Sequence, residues 1–268
     1  MVSFPPCKIN LGLHVINKRP DGYHNLETSF YPVPWTDILE IIGSKTFSFS
    51  SSGIAIPGVW EQNLCVKAYR LLANQFSIDP VSIHLHKIIP MGAGLGGGSS
   101  DAAHIIRMLN EMFKLNLSQE FMMQLAASIG SDTAFFVQDK PMLGKGRGEI
   151  LSGVEVDLRG KFLVLATPDI HVSTADAYSR VKPKEPEVPL ADILKKPITE
   201  WKDSLTNDFE RSVFEKFPRI EELKAKMYSL GATYASMSGS GATVFGIFEK
   251  EFDAARSFPQ TTVWAAYL

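Results

Sequence analysis

One segment of the chain, residues 90–103, is unusually rich in glycine. It reads PMGAGLGGGSSDAA, and five of the seven positions from Gly92 to Gly98 are glycine. Glycine lets backbone N–H groups approach a ligand closely, and the N–H groups at the start of a helix attract anions. A simple turn needs only one or two glycines. The segment therefore predicts a loop that binds the phosphates of a nucleotide.

The residues on either side of this loop support the prediction. Apolar and polar residues alternate from Val81 to His86, which is typical of a strand. Apolar residues then recur at helical spacing after the loop, at Ala102, Ile105, Ile106, Leu109 and Phe113. A strand, a glycine loop and a helix together direct backbone amides and the helix dipole at phosphate. Ser99 and Ser100 open the helix and can bind phosphate or a phosphate-bound Mg²⁺.

Two familiar types of phosphate loop fit the segment poorly. No Gly-Lys-Ser/Thr closes it, so it is not a Walker A loop. It does match G-x-G-x-x-G through Gly92, Gly94 and Gly97, the pattern of dinucleotide-binding proteins. That pattern also requires an acidic residue about 20 positions later, after a second strand. Glu111 and Glu120 lie within helical patterns instead, which disfavours a dinucleotide oxidoreductase.

Length, composition and charge exclude several classes of protein. The 268 residues can form one large domain or two small ones, and 45% apolar with 21% charged residues indicates a globular chain. The net charge is −2 and there is no basic block, which argues against a nucleic-acid partner. The six histidines show no metal-ligand spacing, so no structural metal is predicted.

The location follows from similar arguments. Cys7 and Cys65 give no disulfide framework and suit a reducing compartment. No apolar run approaches the length of a membrane span, and the first ten residues lack a signal-peptide pattern. The expectation is a cytoplasmic protein without a membrane partner.

Strand-like and helix-like segments are interleaved, so we expect a mixed α+β fold. The boundary between two lobes is placed near residue 155, giving lobes 1–155 and 156–268. We expect strands at Ile9–Val15, Tyr23–Val33, Ile38–Ile42 and Phe162–Ala166. We expect helices over 63–76, between a Ser118 cap and Gly130 with Phe121, Met122, Leu125 and Ile129 inward, and from Pro218 to Gly231. Residues 182–197 are expected on the surface, and residues 236–248 form a second glycine loop followed by a strand.

Several short motifs occur in a fixed order along the chain. They are KINL at 8–11, DGYH at 21–24, GSD at 130–132 and NDFE at 207–210, together with the glycine loop and the second loop SGSGATVF. In combination they resemble the GHMP small-molecule kinases, which include galactokinase, homoserine kinase and mevalonate kinase. The resemblance extends from Lys8 to Phe248, and several ordered motifs are more specific than the glycine loop alone.

The resemblance implies a two-lobed fold, with an N-terminal lobe like the second domain of ribosomal protein S5 and a ferredoxin-like C-terminal lobe. ATP, the co-substrate, and an acceptor alcohol would meet in the cleft between them. Mg²⁺ would be held mainly through the ATP phosphates. Within this family the motifs point to a CDP-linked methylerythritol, phosphorylated at its 2-hydroxyl in the non-mevalonate route to isoprenoid precursors.

The same resemblance assigns catalytic roles to Asp132 as general base and to Lys8 as its partner. Asn10, on the same strand face as Lys8, would help to orient the substrate. From residue chemistry alone, Gly-Ser-Asp after a helix is more often an N-cap, and a lysine on a polar strand face is usually solvated. Only the joint pattern favours the catalytic roles.

An aromatic site for the cytosine base is implied as well. Tyr23 would stack on the base and His24 would supply hydrogen bonds, with Tyr178 as the second ring of a sandwich. The alternatives are that Tyr23 and His24 form an ordinary strand edge and that Tyr178 lies in the core. The family often has phenylalanine at the position of Tyr178.

For ATP, the resemblance implies contacts from the glycine loop and two further residues. Asn63 and Lys87 would lie near the adenine or the phosphates. The alternatives are that Asn63 only caps a helix and that Lys87 is a solvated residue at the end of a strand. The second glycine loop, at residues 239–241, either closes on the cleft or is a tight turn. The loop residues assigned to ATP are Pro90, Met91, Gly92, Ala93, Gly94, Leu95, Gly96, Gly97, Gly98, Ser99 and Ser100.

Two departures from the family pattern and three other functions remain open. Cys7 stands where the family commonly has alanine, and Asp101 stands where asparagine is also common. The fold also suits a kinase for homoserine or a mevalonate-type alcohol, or a catalytically silent nucleotide sensor, and the dinucleotide oxidoreductase is the remaining option. Tyr23 and His24 disfavour a small aliphatic acceptor, and the presence of both Lys8 and Asp132 disfavours a silent sensor.

Overall fold

The computed structural model describes residues 1–268, which divide into two compact units. Unit 1 consists of Met1–Cys7, Pro32–Met91 and Gly96–Lys140. Unit 2 consists of Lys8–Tyr31, Gly92–Leu95 and Pro141–Leu268. Each unit is built from several stretches of sequence, and the single boundary near residue 155 stays a prediction.

Strands and helices alternate along the chain, which confirms the mixed α+β class. The strands are β1 (Val2–Ser3), β2 (Pro6–Lys18), β3 (His24–Thr36), β4 (Ile38–Gly43), β5 (Ser48–Gly53), β6 (Val81–Lys87), β7 (Met142–Gly146), β8 (Ile150–Gly153), β9 (Phe162–Pro168), β10 (Tyr234–Met237), β11 (Val244–Phe248) and β12 (Thr261–Tyr267). The α-helices are α1 (Leu64–Ala73), α2 (Gly97–Met112), α3 (Gln119–Ile129), α4 (Thr174–Tyr178), α5 (Leu190–Leu194), α6 (Glu210–Lys216), α7 (Pro218–Ser229) and α8 (Ala254–Ser257). Short 3-10 helices lie at Trp60–Gln62, Thr133–Val137 and Ile198–Glu200.

Unit 1 contains a four-stranded sheet in the order β1-β4-β6-β5. Strands β4 and β6 are antiparallel, with Ile41 opposite Ile83, and β5 runs parallel to β6. Val81, Ile83 and Leu85 are buried and alternate with more exposed polar residues, as predicted for this strand. The strand leads through Ile88–Pro90 into the glycine loop.

Unit 2 contains the four-stranded sheet β10-β11-β9-β12 and most of a second four-stranded sheet in the order β2-β3-β7-β8. Strand β9 pairs with β11 and β12, and all seven of its residues are buried, because it lies in the middle of its sheet. Helices α6 and α7 supply Val213, Ile220 and Met227 to the core beside this sheet. The second glycine loop connects antiparallel strands β10 and β11.

The predicted helix boundaries are largely confirmed. Ser118 accepts a hydrogen bond from the backbone N–H of Phe121 at the start of α3, and Gly130 ends that helix. Phe121 was expected to face inward, but its side chain is 37% exposed and touches the Phe76 ring edge-on. The helical spacing of apolar residues does not distinguish those at the edge of the buried face of α3, such as Phe121, from those at its centre.

The segment 182–197 is only partly a surface excursion. Short helix α5 interrupts it, and Leu190, Ile193 and Leu194 on that helix are buried. The prolines around α5 bound the helix but do not keep it on the surface, because its apolar residues pack into unit 2.

No helix of the chain combines the length and the hydrophobicity that a bilayer crossing requires.

Candidate active site

The glycine loop has a backbone that only glycine tolerates at several positions. Gly92, Gly94 and Gly96 have φ angles of +63°, +78° and +69°. A Cβ on Gly94 would lie 1.9 Å from the backbone oxygen of Ser238, so any side chain there would clash. Helix α2 begins at Gly97 without a side-chain cap. Its first N–H groups therefore meet the requirement for a phosphate site.

The second glycine loop packs against the first within unit 2. The Ser238 hydroxyl donates a hydrogen bond to the Gly94 carbonyl (2.8 Å), and the Thr243 N–H donates to the Ala93 carbonyl (3.2 Å). The Asn207 amide donates to the carbonyls of Met237 and Gly239, at 2.8 and 2.9 Å. This loop does more than turn the chain, because it fixes residues 93 and 94.

Lys8 is buried beside the glycine loop. Only 4% of the residue is exposed, and its ammonium donates to Asn10 Oδ1 (2.5 Å) and to the Gly94 carbonyl (2.6 Å). The backbone N–H of Lys8 also donates to the Leu95 carbonyl (2.9 Å). The alternative of a solvated lysine is wrong, because both faces of β2 are covered along this stretch.

Asn10 is held so that its oxygen faces the ammonium of Lys8. Its amide donates to the Thr28 hydroxyl (2.8 Å), which in turn donates to the Gly12 carbonyl (2.6 Å). Because the Asn10 amide nitrogen is the donor to Thr28, the side-chain oxygen of Asn10 is the atom that accepts a hydrogen bond from Lys8. Sequence reasoning missed Thr28 and assigned no contact to Ser238 of the second glycine loop, because their hydrogen bonds with Asn10 join separate segments of the chain.

Asp132 follows α3 and immediately precedes the 3-10 helix Thr133–Val137. It occupies the N-cap position of that helix, but its carboxylate makes no capping hydrogen bond. A Cβ on Gly96 would lie 3.1 Å from Asp132 Oδ2, so within unit 1 this carboxylate lies against the end of the glycine loop. The capping alternative is wrong for the side chain of Asp132.

Two buried hydroxyls near the start of α2 have no hydrogen-bond partner. These are Ser100 Oγ and Thr133 Oγ1, both on residues with no exposed surface. A Cβ on Gly130 would lie 2.8 Å from Thr133 Oγ1 and 3.7 Å from Ser99 Oγ. The backbone of Gly130, which has no side chain, therefore lies next to these two hydroxyls. Buried polar atoms of this kind are normally satisfied, and a phosphate oxygen would satisfy a hydroxyl donor here. The residues present therefore fit a bound polyphosphate.

Lys87 is buried and paired with two carboxylates. Its Nζ lies 2.5 Å from Asp37 Oδ2 and 2.8 Å from Asp101 Oδ2. Burial lowers the pKa of the Lys87 ammonium, but Asp101 and Asp37 outweigh this and raise it. The alternative of a solvated strand end is wrong, and the role of Lys87 toward ATP stays a prediction. Sequence reasoning missed Asp37.

Asn63 caps helix α1 through a hydrogen bond that its side chain accepts from the Cys65 N–H (2.9 Å). The capping alternative is therefore confirmed, and a role in binding ATP stays a prediction. Cys7 is fully buried, as expected of a residue in place of alanine.

The predicted aromatic site is assembled in part. The rings of His24 and Tyr178 are stacked, with centroids 4.7 Å apart and an angle of 26°, and Tyr178 also meets Phe209 edge-on. Burial lowers the pKa of His24, which favours its neutral form. Tyr23 is 56% exposed, and its ring lies 5.1 Å from the Arg147 guanidinium carbon. The structure thus brings His24 and Tyr178 together and leaves Tyr23 accessible.

We expect the stability of the protein to depend on the protonation of Asp101. Burial is the main reason that its pKa is raised from 3.8 to about 7, and Lys87 opposes this only in part. The folded state therefore retains a proton that the unfolded state releases above about pH 4. The contribution of Asp101 to the unfolding free energy should fall as pH rises from about 4 to about 7, by at most about 1.4 kcal/mol per pH unit.

Asp101→Asn isolates this contribution because the amide cannot titrate. Urea unfolding of both proteins from about pH 4 to pH 8 should give a wild-type minus variant difference that falls across the range and levels off above about pH 7. A difference that stays constant or rises with pH would contradict the raised pKa.

Comparison with known protein families decides the assignment. The family of GHMP kinase N-terminal domains matches residues 63–140, and the family of GHMP kinase C-terminal domains matches residues 190–258. The chain belongs to the GHMP kinase family. The glycine loop and Asp132 both lie within the first matched region of this GHMP kinase, as expected for a small-molecule kinase.

Relatives of this GHMP kinase agree on one activity. The 4-diphosphocytidyl-2-C-methyl-D-erythritol kinase of Cytophaga hutchinsonii is 55% identical over 250 residues, covering 92% of both chains. The enzyme of the same name from Bacteroides fragilis is 52% identical, covering 94% of this chain and 93% of the relative. A crystal structure of 4-(cytidine 5'-diphospho)-2C-methyl-D-erythritol kinase aligns with a TM-score of 0.84 and 31% identity, covering 99% and 98% of the two chains. That match confirms the expected fold.

Proposed function

We propose that the chain transfers the γ-phosphoryl group of ATP to the 2-hydroxyl of 4-diphosphocytidyl-2-C-methyl-D-erythritol. The observation that carries this proposal is the buried ammonium of Lys8 on the carbonyl of Gly94 in the phosphate loop. Relatives of that name at 52–55% identity support the choice of acceptor. The reaction belongs to the non-mevalonate route to isoprenoid precursors.

ATP binds through its phosphates to the glycine loop and the start of α2. The backbone of residues 92–98 and the hydroxyls of Ser99 and Ser100 surround the phosphates, while Asn63 and Lys87 support the nucleotide. Mg²⁺ bound to the phosphate oxygens of ATP would offset part of their negative charge. The uncapped N–H groups of α2 and the unpartnered Ser100 hydroxyl support this arrangement.

Asp132 and Lys8 act on the acceptor hydroxyl. Asp132 accepts the proton of the 2-hydroxyl. The hydroxyl oxygen bonds to the γ-phosphorus while the bond between that phosphorus and the bridging oxygen of ADP breaks. Lys8 offsets negative charge on the transferring group, and Asn10 keeps the ammonium in place. Within unit 2 the Lys8 ammonium contacts the Gly94 carbonyl, and within unit 1 the Asp132 carboxylate lies against Gly96.

The cytosine base binds at the aromatic residues of unit 2. Tyr23 offers an exposed ring for stacking, and the neutral ring of His24 offers hydrogen bonds beside Tyr178. A base platform of this kind is not needed for a small aliphatic alcohol.

A panel of acceptors tests the proposal. Purified protein is incubated with ATP and Mg²⁺ and, separately, with 4-diphosphocytidyl-2-C-methyl-D-erythritol, homoserine or mevalonate, while ADP is measured. We expect ADP only with the cytidine-containing acceptor. Product only with homoserine or mevalonate would instead assign a different GHMP kinase activity, and nucleotide binding without turnover on any alcohol would indicate a sensor.

Tyr23→Ala should weaken acceptor binding selectively. Loss of one stacked ring costs about 1–3 kcal/mol, so KM for the cytidine substrate should rise between about fivefold and 150-fold. KM for ATP should change little, because Tyr23 is not part of the phosphate loop. Steady-state kinetics with each substrate varied in turn measures both values.

Tyr267→Ala is a matched control for this variant. Tyr267 is 49% exposed, close to the 56% of Tyr23, and its ring packs on Phe162 in the β12 sheet. We expect neither KM to change. If Tyr23→Ala raises both KM values equally, the stacking role is wrong.

A further inference from the structure

Residues at the entrance and exit of the glycine loop are joined by a buried cluster of charges in unit 1. Asp37, between β3 and β4, has no exposed surface, and Lys87 and Asp101 are 2% and 1% exposed. Lys87 is the last residue of β6, which leads into the loop, and Asp101 lies on the second turn of α2, which leaves it. We call these three residues the buried triad.

Asp37 holds the entrance to the loop through its first carboxylate oxygen. Its Oδ1 accepts the backbone N–H of Ile88 (2.6 Å) and of Ile89 (2.9 Å), the two residues that precede Pro90. Its Oδ2 accepts a hydrogen bond from the Lys87 ammonium (2.5 Å). One carboxylate therefore fixes three consecutive residues where the chain leaves the sheet.

Lys87 connects Asp37 to the end of the glycine loop, where α2 begins. Its ammonium donates to Asp101 Oδ2 (2.8 Å), and a Cβ on Gly97 would lie only 3.0 Å from Lys87 Nζ. The first residue of α2 therefore lies directly on the charged group. The Lys87 carbonyl is held from the other side by the Ile54 N–H (2.8 Å), so the lysine has little freedom to move.

We infer that Asp37 and Lys87, with Asp101, are positioning residues for the phosphate loop: they set the separation and direction of its two ends before a nucleotide binds. This inference rests on the proposed binding of the ATP phosphates to the loop. Asp37 and Asp101 act without touching ATP, and Lys87 positions the loop in addition to its proposed place near the nucleotide. They act through the backbone of Ile88 and Ile89 and through the first turns of α2, where displacement of the N–H groups weakens every phosphate contact.

Two substitutions at Asp37 separate its contributions. Asp37→Asn keeps an oxygen that can accept the N–H groups of Ile88 and Ile89 but removes the charge that faces Lys87. Asp37→Ala removes both. Calorimetric titration with a non-hydrolysable ATP analogue should show Kd raised between about tenfold and a hundredfold in Asp37→Ala and by less in Asp37→Asn. KM for the acceptor should stay at its wild-type value in both variants.

Hydrogen exchange gives a readout that a general loss of stability would not produce. In the nucleotide-free protein, backbone amides of residues 88–98 should exchange faster in the Asp37 variants, while the amides of β9 and β11 keep their wild-type rates. Asp139→Asn is the matched control, because Asp139 pairs with His104 and Arg107 further along α2. We expect the control to leave nucleotide Kd unchanged.

The outcomes separate this inference from the proposed function. If wild-type protein binds the nucleotide and the Asp37 variants bind it equally well, or if Asp139→Asn raises Kd as much, the positioning role is wrong and the kinase proposal stands. If wild-type protein binds no nucleotide, the proposed function fails and the inference fails with it. Should Asp37→Ala not fold, judged by circular dichroism, Asp37→Asn decides between these outcomes.

Discussion

Asp132→Asn should lower kcat between about a hundredfold and ten-thousandfold while leaving the fold and ATP affinity intact. An amide cannot accept the proton of the acceptor hydroxyl, but it occupies nearly the same volume as the carboxylate. Because the Asp132 side chain makes no capping hydrogen bond, its replacement removes no support from the following 3-10 helix. Steady-state kinetics, calorimetry with an ATP analogue and thermal unfolding measure the three quantities.

The control for this variant is Asp139→Asn, seven positions later in the same unit. Asp139 forms an ion pair with Arg107, and its carboxylate lies 3.2 Å from His104 Nε2. Replacing Asp139 therefore removes at least as many side-chain contacts as replacing Asp132, at a site other than the glycine loop. If kcat stays normal in Asp139→Asn and falls in Asp132→Asn, the fall in kcat is due to loss of the general base and not to loss of local charge. An Asp132→Asn protein that keeps nearly full kcat would remove the general-base assignment.

Lys8→Met should produce the second large loss, with kcat reduced between about a hundredfold and a thousandfold. Methionine keeps most of the apolar stem of the lysine but removes the charge that, in the proposed function, offsets negative charge on the transferring phosphoryl group. It also removes the donor that the Asn10 oxygen and the Gly94 carbonyl share, at 2.5 and 2.6 Å, and leaves the carbonyl with the hydrogen bond from Ser238. Some loss of stability should therefore accompany the loss of turnover.

Lys8→Arg tests whether charge alone is sufficient. A guanidinium keeps the positive charge but is planar and bulkier than an ammonium, so it cannot reproduce both short contacts in a site that is 4% exposed. We expect Lys8→Arg to remain at least tenfold below wild type. Wild-type kcat in Lys8→Met would exclude a catalytic role for this ammonium.

Local patterns were sufficient to predict the glycine loop and the elements around it. The alternation from Val81 to His86 specified β6, and glycine density specified a loop with positive φ angles at Gly92, Gly94 and Gly96. These features depend on neighbours in the sequence, so periodicity and the conformational freedom of glycine determine them.

Burial of charged residues was harder to predict. Lys87 continues the odd-numbered, buried positions of β6 after Val81, Ile83 and Leu85, so the strand period itself places it inward. The interpretation as a solvated strand end followed the usual behaviour of lysine instead of the period. A buried lysine requires partners, and Asp37 is 50 residues away in a segment with no recognisable motif.

The contacts of Lys8, proposed for catalysis, and of Asn10, proposed to orient the substrate, were also not predicted from the sequence. Lys8 and Asn10 were identified by resemblance, but their partners Gly94, Thr28 and Ser238 come from distant parts of the chain. Only tertiary pairing brings such residues together, and a single sequence carries no record of that pairing.

A crystal structure with a non-hydrolysable ATP analogue and 4-diphosphocytidyl-2-C-methyl-D-erythritol tests the central claim most directly. The claim is that Asp132 and Lys8 act on one acceptor hydroxyl at the γ-phosphate. We expect a carboxylate oxygen of Asp132 within about 3.2 Å of the 2-hydroxyl oxygen, with the Lys8 ammonium in contact with the γ-phosphate or that hydroxyl. A complex with both ligands bound and the hydroxyl remote from Asp132 and Lys8 would contradict the account.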